Sequence, residues 1–119
     1  MSEFPAAPAG KVDGAPPTFN SFVDRFPEFR EAHALIGKAA DAAGPLDARG
    51  LALVKLGMCI GAGLETAYRS HVRRALEAGV SWAEIEHAIV QAVNTLGLPR
   101  TVMAWQWARQ ENERVAGKR

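Results

Sequence analysis

A single cysteine, Cys59, stands among 119 residues. One thiol builds neither an internal disulfide framework nor a CxxC redox or zinc pair, so a reducing, cytoplasmic setting is expected. Net charge is as sparse: 14 Lys and Arg against 13 Asp and Glu leave a formal +1. That balance offers no bulk attraction to nucleic acid or a membrane surface, and "HVRR" is too small a basic patch to change this. The longest mostly apolar run, Leu51 to Leu64, is interrupted by Lys55 and three glycines, short of the ~20 residues a membrane span needs. Only three histidines are present, and none has acidic or cysteine partners at ligand spacing. No metal site and no cofactor are expected. No basic region followed by an apolar core opens the chain, so no secretory leader is expected. No strand-type alternation runs beyond a few residues, and no segment repeats.

What remains is helical. Hydrophobic residues make up 48% and charged residues 23%, ordinary for a globular chain. A chain of this length suits one domain, burying roughly 65% of the surface its unfolded form exposes. The first 17 residues, with four prolines, two glycines and four alanines, read as a flexible arm with too little apolar surface to offset ordering. Phe4 and Val12 would be its anchors on a neighbouring subunit. Residues 18–119 form the domain. "PTFNSFVDRF" predicts a short helix ending near Pro27. Pro27 starts the next, with Phe29, Ala32, Leu35 and Ile36 as its apolar stripe and Gly44 as its stop. Asp47 is the expected N-cap of "LALVKLGMCIGAG", a helix apolar on nearly all sides and so expected at the centre of the core, broken or bent by Gly61 and Gly63. The following helix ends with Gly79 in its left-handed position. "SWAE" spells a capping box on Ser81 and Glu84. It opens a helix whose Ile85, Ala88, Ile89, Ala92, Val93 and Leu96 have core spacing, closed by Gly97 and Pro99. A last helix covers about Thr101 to Val115. The fold class is all-α, a bundle of five to six helices.

His71 is the residue that draws a functional question. At about 100° per residue, Leu64, Ala67, Tyr68, Ala75 and Ala78 fall within about 60° of it, and Arg74 lies at the edge of the same face. Alanines let another helix approach, so this face is expected to point inward. A lone histidine there is more often a structural hydrogen-bonding group than a catalyst. Yet histidine is also the side chain best suited to move protons near neutral pH.

"LDARGLALVKLGMCIGAGLETAYRSHVRRALEAGVSWAEIEHAIVQAVNTLGLP" resembles the carboxymuconolactone decarboxylase family, whose superfamily includes the alkylhydroperoxidase D-like proteins. The marks are "LDAR" at a helix start, "SHVRRALEAGVSWAEIEHAI" and "GLP", and the resemblance covers about Phe19 to Ala108. It implies an all-α bundle assembled as a homotrimer or homohexamer. The peroxidase branch carries a glutamate, a CxxC twelve residues later, and a histidine four residues after the second cysteine. With that histidine set on His71, the cysteine positions fall on Leu64 and Ala67 and the glutamate position on Ala52. Peroxide chemistry needs a thiolate and a resolving thiol, and Cys59 replaces neither, so thiol peroxidase activity is not expected.

The decarboxylase branch lacks the CxxC and has a histidine in an "LHLRAA"-like helix, matched here by "SHVRRA", with glutamates upstream that Glu65 could match. Its reaction removes CO2 from γ-carboxymuconolactone to give the 3-oxoadipate enol-lactone. The resemblance thus implies a lyase acting on a small carboxylated lactone or a related intermediate of aromatic catabolism. By residue type and face, His71 and Glu65 are the candidate catalytic groups, with Tyr68 and Arg74 as substrate-binding groups. The alternative is a non-catalytic oligomer that binds a ligand or partner and has lost the redox site. A sealed, hydrogen-bonded His71 would suit that alternative; one open to solvent would suit an enzyme.

The other singled-out residues have blander readings. Cys59 is expected as a buried small hydrophobe. Lys55 is expected to snorkel or pair with an acid, with a cleft position the less common outcome. Glu84, His87, Gln91 and Asn94 form a polar stripe, usually a solvated face, and His33 is expected to be exposed. Trp82, Trp105 and Trp107, with the all-round apolar helix, exceed what one thin helical layer hides, which points to a homo-oligomer.

Overall fold

The computed structural model describes residues 16–117, all helix and connecting turn. The arm expected over residues 1–17 lies outside the described residues except for Pro16 and Pro17. Pro17 is the first residue of α1 (Pro17–Arg25), where its missing N–H costs nothing.

The chain divides into two compact units, with the boundary after Leu46. The first holds α1 and α2 (Glu28–Ala42). Phe22 stacks at a tilt on Phe26 and Phe29, with centroids 5.2 and 5.4 Å away, and Phe19 meets His33 at 4.6 Å. The predicted stripe on α2 exists, but Phe29, Leu35 and Ile36 are exposed, Ile36 to 70%. His33 is exposed, as expected.

The second unit contains α3 (Ala48–Ala62), α4 (Glu65–Glu77), α5 (Trp82–Val90), the single turn α6 (Val93–Leu96) and α7 (Leu98–Gly117). Asp47 caps α3 by accepting from the Gly50 amide at 2.8 Å. Of the two candidate breakers, Gly61 stays inside α3, while Gly63 ends it in the left-handed conformation at φ 70. There the Gly63 and Leu64 amides return to the carbonyls of Ile60 and Cys59 at 3.2 and 3.1 Å, closing the helix end. The Ser81–Glu84 capping box forms as read, and Gly79 sits at φ 90 past the end of α4.

Two expectations are corrected. The helix opened by Ser81 does not run on to Leu96. The amides of Gln91 and Ala92 bond to carbonyls only three residues back, tightening the turn and separating α5 from α6. Val93 and Leu96 are therefore exposed rather than in the core. Pro99 does not close a helix but lies in the first turn of α7, where proline is tolerated. The core gathers Leu56, Cys59, Ile60, Tyr68, Val72, Ala75, Ile85, Ile89, Ala104 and Ala108 from α3, α4, α5 and α7, with Val80 from the turn between α4 and α5. Only one side of α3 joins it, because a helix packed in a single layer buries one stripe; Val54 and Met58, the latter 67% exposed, face away.

Candidate functional site

The most extensive helix pairing is α3 with α4, an antiparallel hairpin turning at Gly63. A side chain there would be doubly excluded. The backbone is left-handed, and a Cβ would lie 2.7 Å from Arg100 Nη1, the nitrogen that donates to the Ile60 carbonyl at 3.0 Å. Lys55 on α3 and His71 on α4 each stand eight residues from this turn, at matching heights of the hairpin.

The structure sorts the four predicted site residues onto different faces of α4. Tyr68 is fully buried; its hydroxyl donates to the Ala104 carbonyl at 2.9 Å, and its ring tilts against Trp107. Burial, with a smaller contribution from Cys59, pushes the phenol well above its ordinary range. Glu65 is exposed and accepts from Arg69 Nε at 3.0 Å. It belongs to a polar face turned to α7. There Arg69 and Arg73 each donate to Glu111 at 2.8 Å, Arg69 also reaches Gln110, and Arg114 adds a third guanidinium. Glu111 is completely buried. Burial alone would raise its pKa, but the hydrogen bonds from Arg69 and Arg73 and the charges of Arg114 and Arg73 outweigh it and hold the carboxyl below its usual range.

His71 and Arg74 lie apart from that network. The His71 ring is half-buried. Among the described residues it makes no hydrogen bond, and neither ring nitrogen is a sealed, unpartnered atom, so both reach solvent. The Arg74 guanidinium is likewise unbonded among the described residues. Burial first, then the positive charges of Arg74 and Lys55, lower the His71 pKa from its ordinary 6.5. At pH 7 the ring is therefore mainly neutral, one face of a cluster with two cations. Such a group can accept a proton, and the Arg74 guanidinium suits a carboxylate.

Lys55 is the member that sequence reasoning set aside. Its signal was available: a lone charge in an apolar run, in register with His71 about the Gly63 turn. Glu111 had no such signal beyond being an acid on the buried stripe of α7. Cys59 is buried and burial pushes its thiol up. Leu64 is the N-cap position of α4 and Ala67 is half-buried, so no thiol stands near His71 at those places. Glu84, His87, Gln91 and Asn94 are all exposed. Among the described residues no group of three potential metal ligands comes together, and no helix is long and apolar enough to cross a membrane.

The described residues form an all-α bundle whose α3–α4 hairpin carries a half-buried histidine. The model of the carboxymuconolactone decarboxylase family matches residues 27–110, most of the chain, and the protein belongs to that family. Comparisons with curated proteins and with solved structures give no significant match.

Proposed function

We propose that the protein acts on a small carboxylated lactone, or a related intermediate of aromatic catabolism, by proton transfer at His71. Arg74 holds a carboxylate of the ligand, its planar fork suiting two parallel hydrogen bonds. When a carboxylate leaves as CO2, the electron pair of the broken C–C bond passes into the unsaturated lactone, and a proton taken up from solvent is delivered to carbon through His71. The observation that carries this reading is the unbonded, solvent-reaching His71 ring beside an unbonded Arg74. A histidine kept for structure would have its ring nitrogens bonded in the core. Glu65 and Tyr68 are left out of the proposal, since Arg69 holds the first and the Ala104 carbonyl the second.

The proposal includes a cytoplasmic homo-oligomer, a trimer or hexamer by family resemblance. Its support is the exposed apolar residues Val54, Met58, Leu98 and Val102 on α3 and α7. A stable monomer by light scattering at micromolar concentration would remove the assembly. For the chemistry, CO2 release from γ-carboxymuconolactone is the test. Turnover should fall about 100-fold or more in His71→Ala, the lower range for losing a positioned acid–base group. Absence of turnover by the unaltered protein would defeat the assignment.

A further inference from the structure

We propose that the proline-rich segment ahead of α1, residues 1–15, folds back as a strap over an aromatic strip on α1 and α2 of its own chain. The inference does not depend on the reading of His71.

Helical spacing builds the strip. Phe19, Phe22 and Phe26 recur at intervals of three and four on α1, so they share one face. Phe29 and His33, four apart on α2, meet them across the turn at Pro27. Phe22 contacts Phe26 and Phe29 with centroids 5.2 and 5.4 Å away, and Phe19 contacts His33 at 4.6 Å. Phe22, Phe26 and Phe29 are nonetheless 48%, 42% and 55% exposed, and α2 buries none of its residues. Contiguous exposed rings mark a contact surface. A helix as short as α2 draws its stability from packing one face, so this face gains from a cover.

The chain supplies a cover where it is needed. Residues 1–15 lead into Pro16, the N-cap of α1. Pro8 precedes Pro16 by eight residues, a reach of roughly 25 Å at about 3.1 Å per residue in polyproline II form. Phe26 follows Pro17 by nine residues of helix, only roughly 14 Å away at about 1.5 Å each. The surplus leaves room for a reversal at Gly10 or Gly14, which tolerate either hand of turn. So short a tether holds the prolines at an effective concentration on the order of millimolar, which favours the chain's own strip over a second copy in dilute solution.

The chemistry of the two surfaces agrees. "FPAAP", Phe4 to Pro8, spaces Pro5 and Pro8 by three residues. At about three residues per polyproline turn they lie on one side. Such prolines dock on aromatic rings at low entropic cost, because their backbone is already set. Charge agrees as well. The Arg25 guanidinium lies 4.7 Å over the Phe26 ring. Arg30 is taken by Asp24 at 2.6 Å, whereas Arg25 makes no ion pair among the described residues. Glu3, beside Phe4, is the anion that a strap would bring to it.

The test uses the full chain. NMR should show cross-peaks from the Phe4, Pro5 and Pro8 side chains to the rings of Phe22 and Phe26. Lys11 is the first lysine or arginine of the chain and the next is Arg25, so trypsin cutting after Lys11 reports release of the strap. Cutting should be several-fold faster in Pro5→Gly with Pro8→Gly, which alters no described residue and leaves the strip intact. Phe22→Ser, which removes the central ring, should speed it similarly. Protection should be the same after hundredfold dilution. Absent cross-peaks with equal cutting in all three proteins overturn the proposal. Protection that vanishes on dilution also overturns it, by assigning the arm to a second copy. Strip resonances that ignore the arm variants but move with protein concentration do the same, by making a second copy the cover.

Discussion

Replacing Glu111 by glutamine keeps the volume of the side chain and removes its charge. Glu111 is 0% exposed and faces Arg69 and Arg73, whose side chains are only 20% and 19% exposed. Those two guanidiniums would be left largely desolvated with no anion between them. Breaking a buried pair from one side costs about 3–5 kcal/mol, mainly the penalty of the stranded charge. Glutamine retains one acceptor oxygen, which favours the low end. Arg114 is 56% exposed and contributes little, since water solvates it when the carboxylate is gone. The expected loss is about 3 kcal/mol at pH 7, equivalent to a drop of about 10–20 °C in midpoint for a domain near 100 residues. Urea unfolding followed by helical circular dichroism measures it, with the slope unchanged to show that the same surface is exposed. A loss under about 0.5 kcal/mol would refute the reasoning, because the arginines would then have relaxed into water. The pH dependence follows from the same carboxylate. Its folded pKa is depressed, so its stabilisation is present above the ordinary glutamate range and is lost as pH falls through the folded value. Glu111→Gln should therefore unfold with a flatter acid limb than the unaltered chain.

Two further outcomes follow from the core beside that network. Tyr68→Phe leaves the Ala104 carbonyl without its buried donor and should cost about 1–2 kcal/mol, read by urea midpoint, with no change in ligand affinity; weakened ligand binding at unchanged stability would put the phenol back in the site. Cys59, buried and with its thiol pushed up, should react with a colorimetric disulfide reagent only after denaturation, and the native protein should consume no hydroperoxide with a dithiol reductant; consumption abolished by Cys59→Ser would contradict both.

The helices were legible because their punctuation is local. Asp47, Gly63, Gly79 and the Ser81–Glu84 box each act within one turn, and each does what its residue type dictates. The break between α5 and α6 was not legible, since Gln91 and Ala92 are ordinary helix residues and the tightened turn there carries no glycine or proline. The all-round apolar character of α3 was real, but one layer of helices covers only its Leu56–Cys59–Ile60 side. At the site, a helical wheel placed His71 and Arg74 near one face and Tyr68 beside them. It could not show that the Tyr68 hydroxyl is spent on a carbonyl 36 residues away. Nor could one helix reveal Lys55, whose charge acts on His71 from the neighbouring helix α3. Glu65 was read as a site acid from resemblance, although its own angle on α4 turns it toward Arg69.

The central claim is that His71 serves a ligand rather than the fold, and one variant tests it most directly. His71→Ala removes a half-buried ring with no hydrogen bond to lose among the described residues. Its melting temperature and oligomeric state should stay nearly those of the unaltered chain, while calorimetric titration with a carboxylated lactone loses most of its affinity. A loss of roughly 1–3 kcal/mol in stability, the signature of an unsatisfied buried partner, with ligand binding unchanged would contradict the account and make His71 a structural residue.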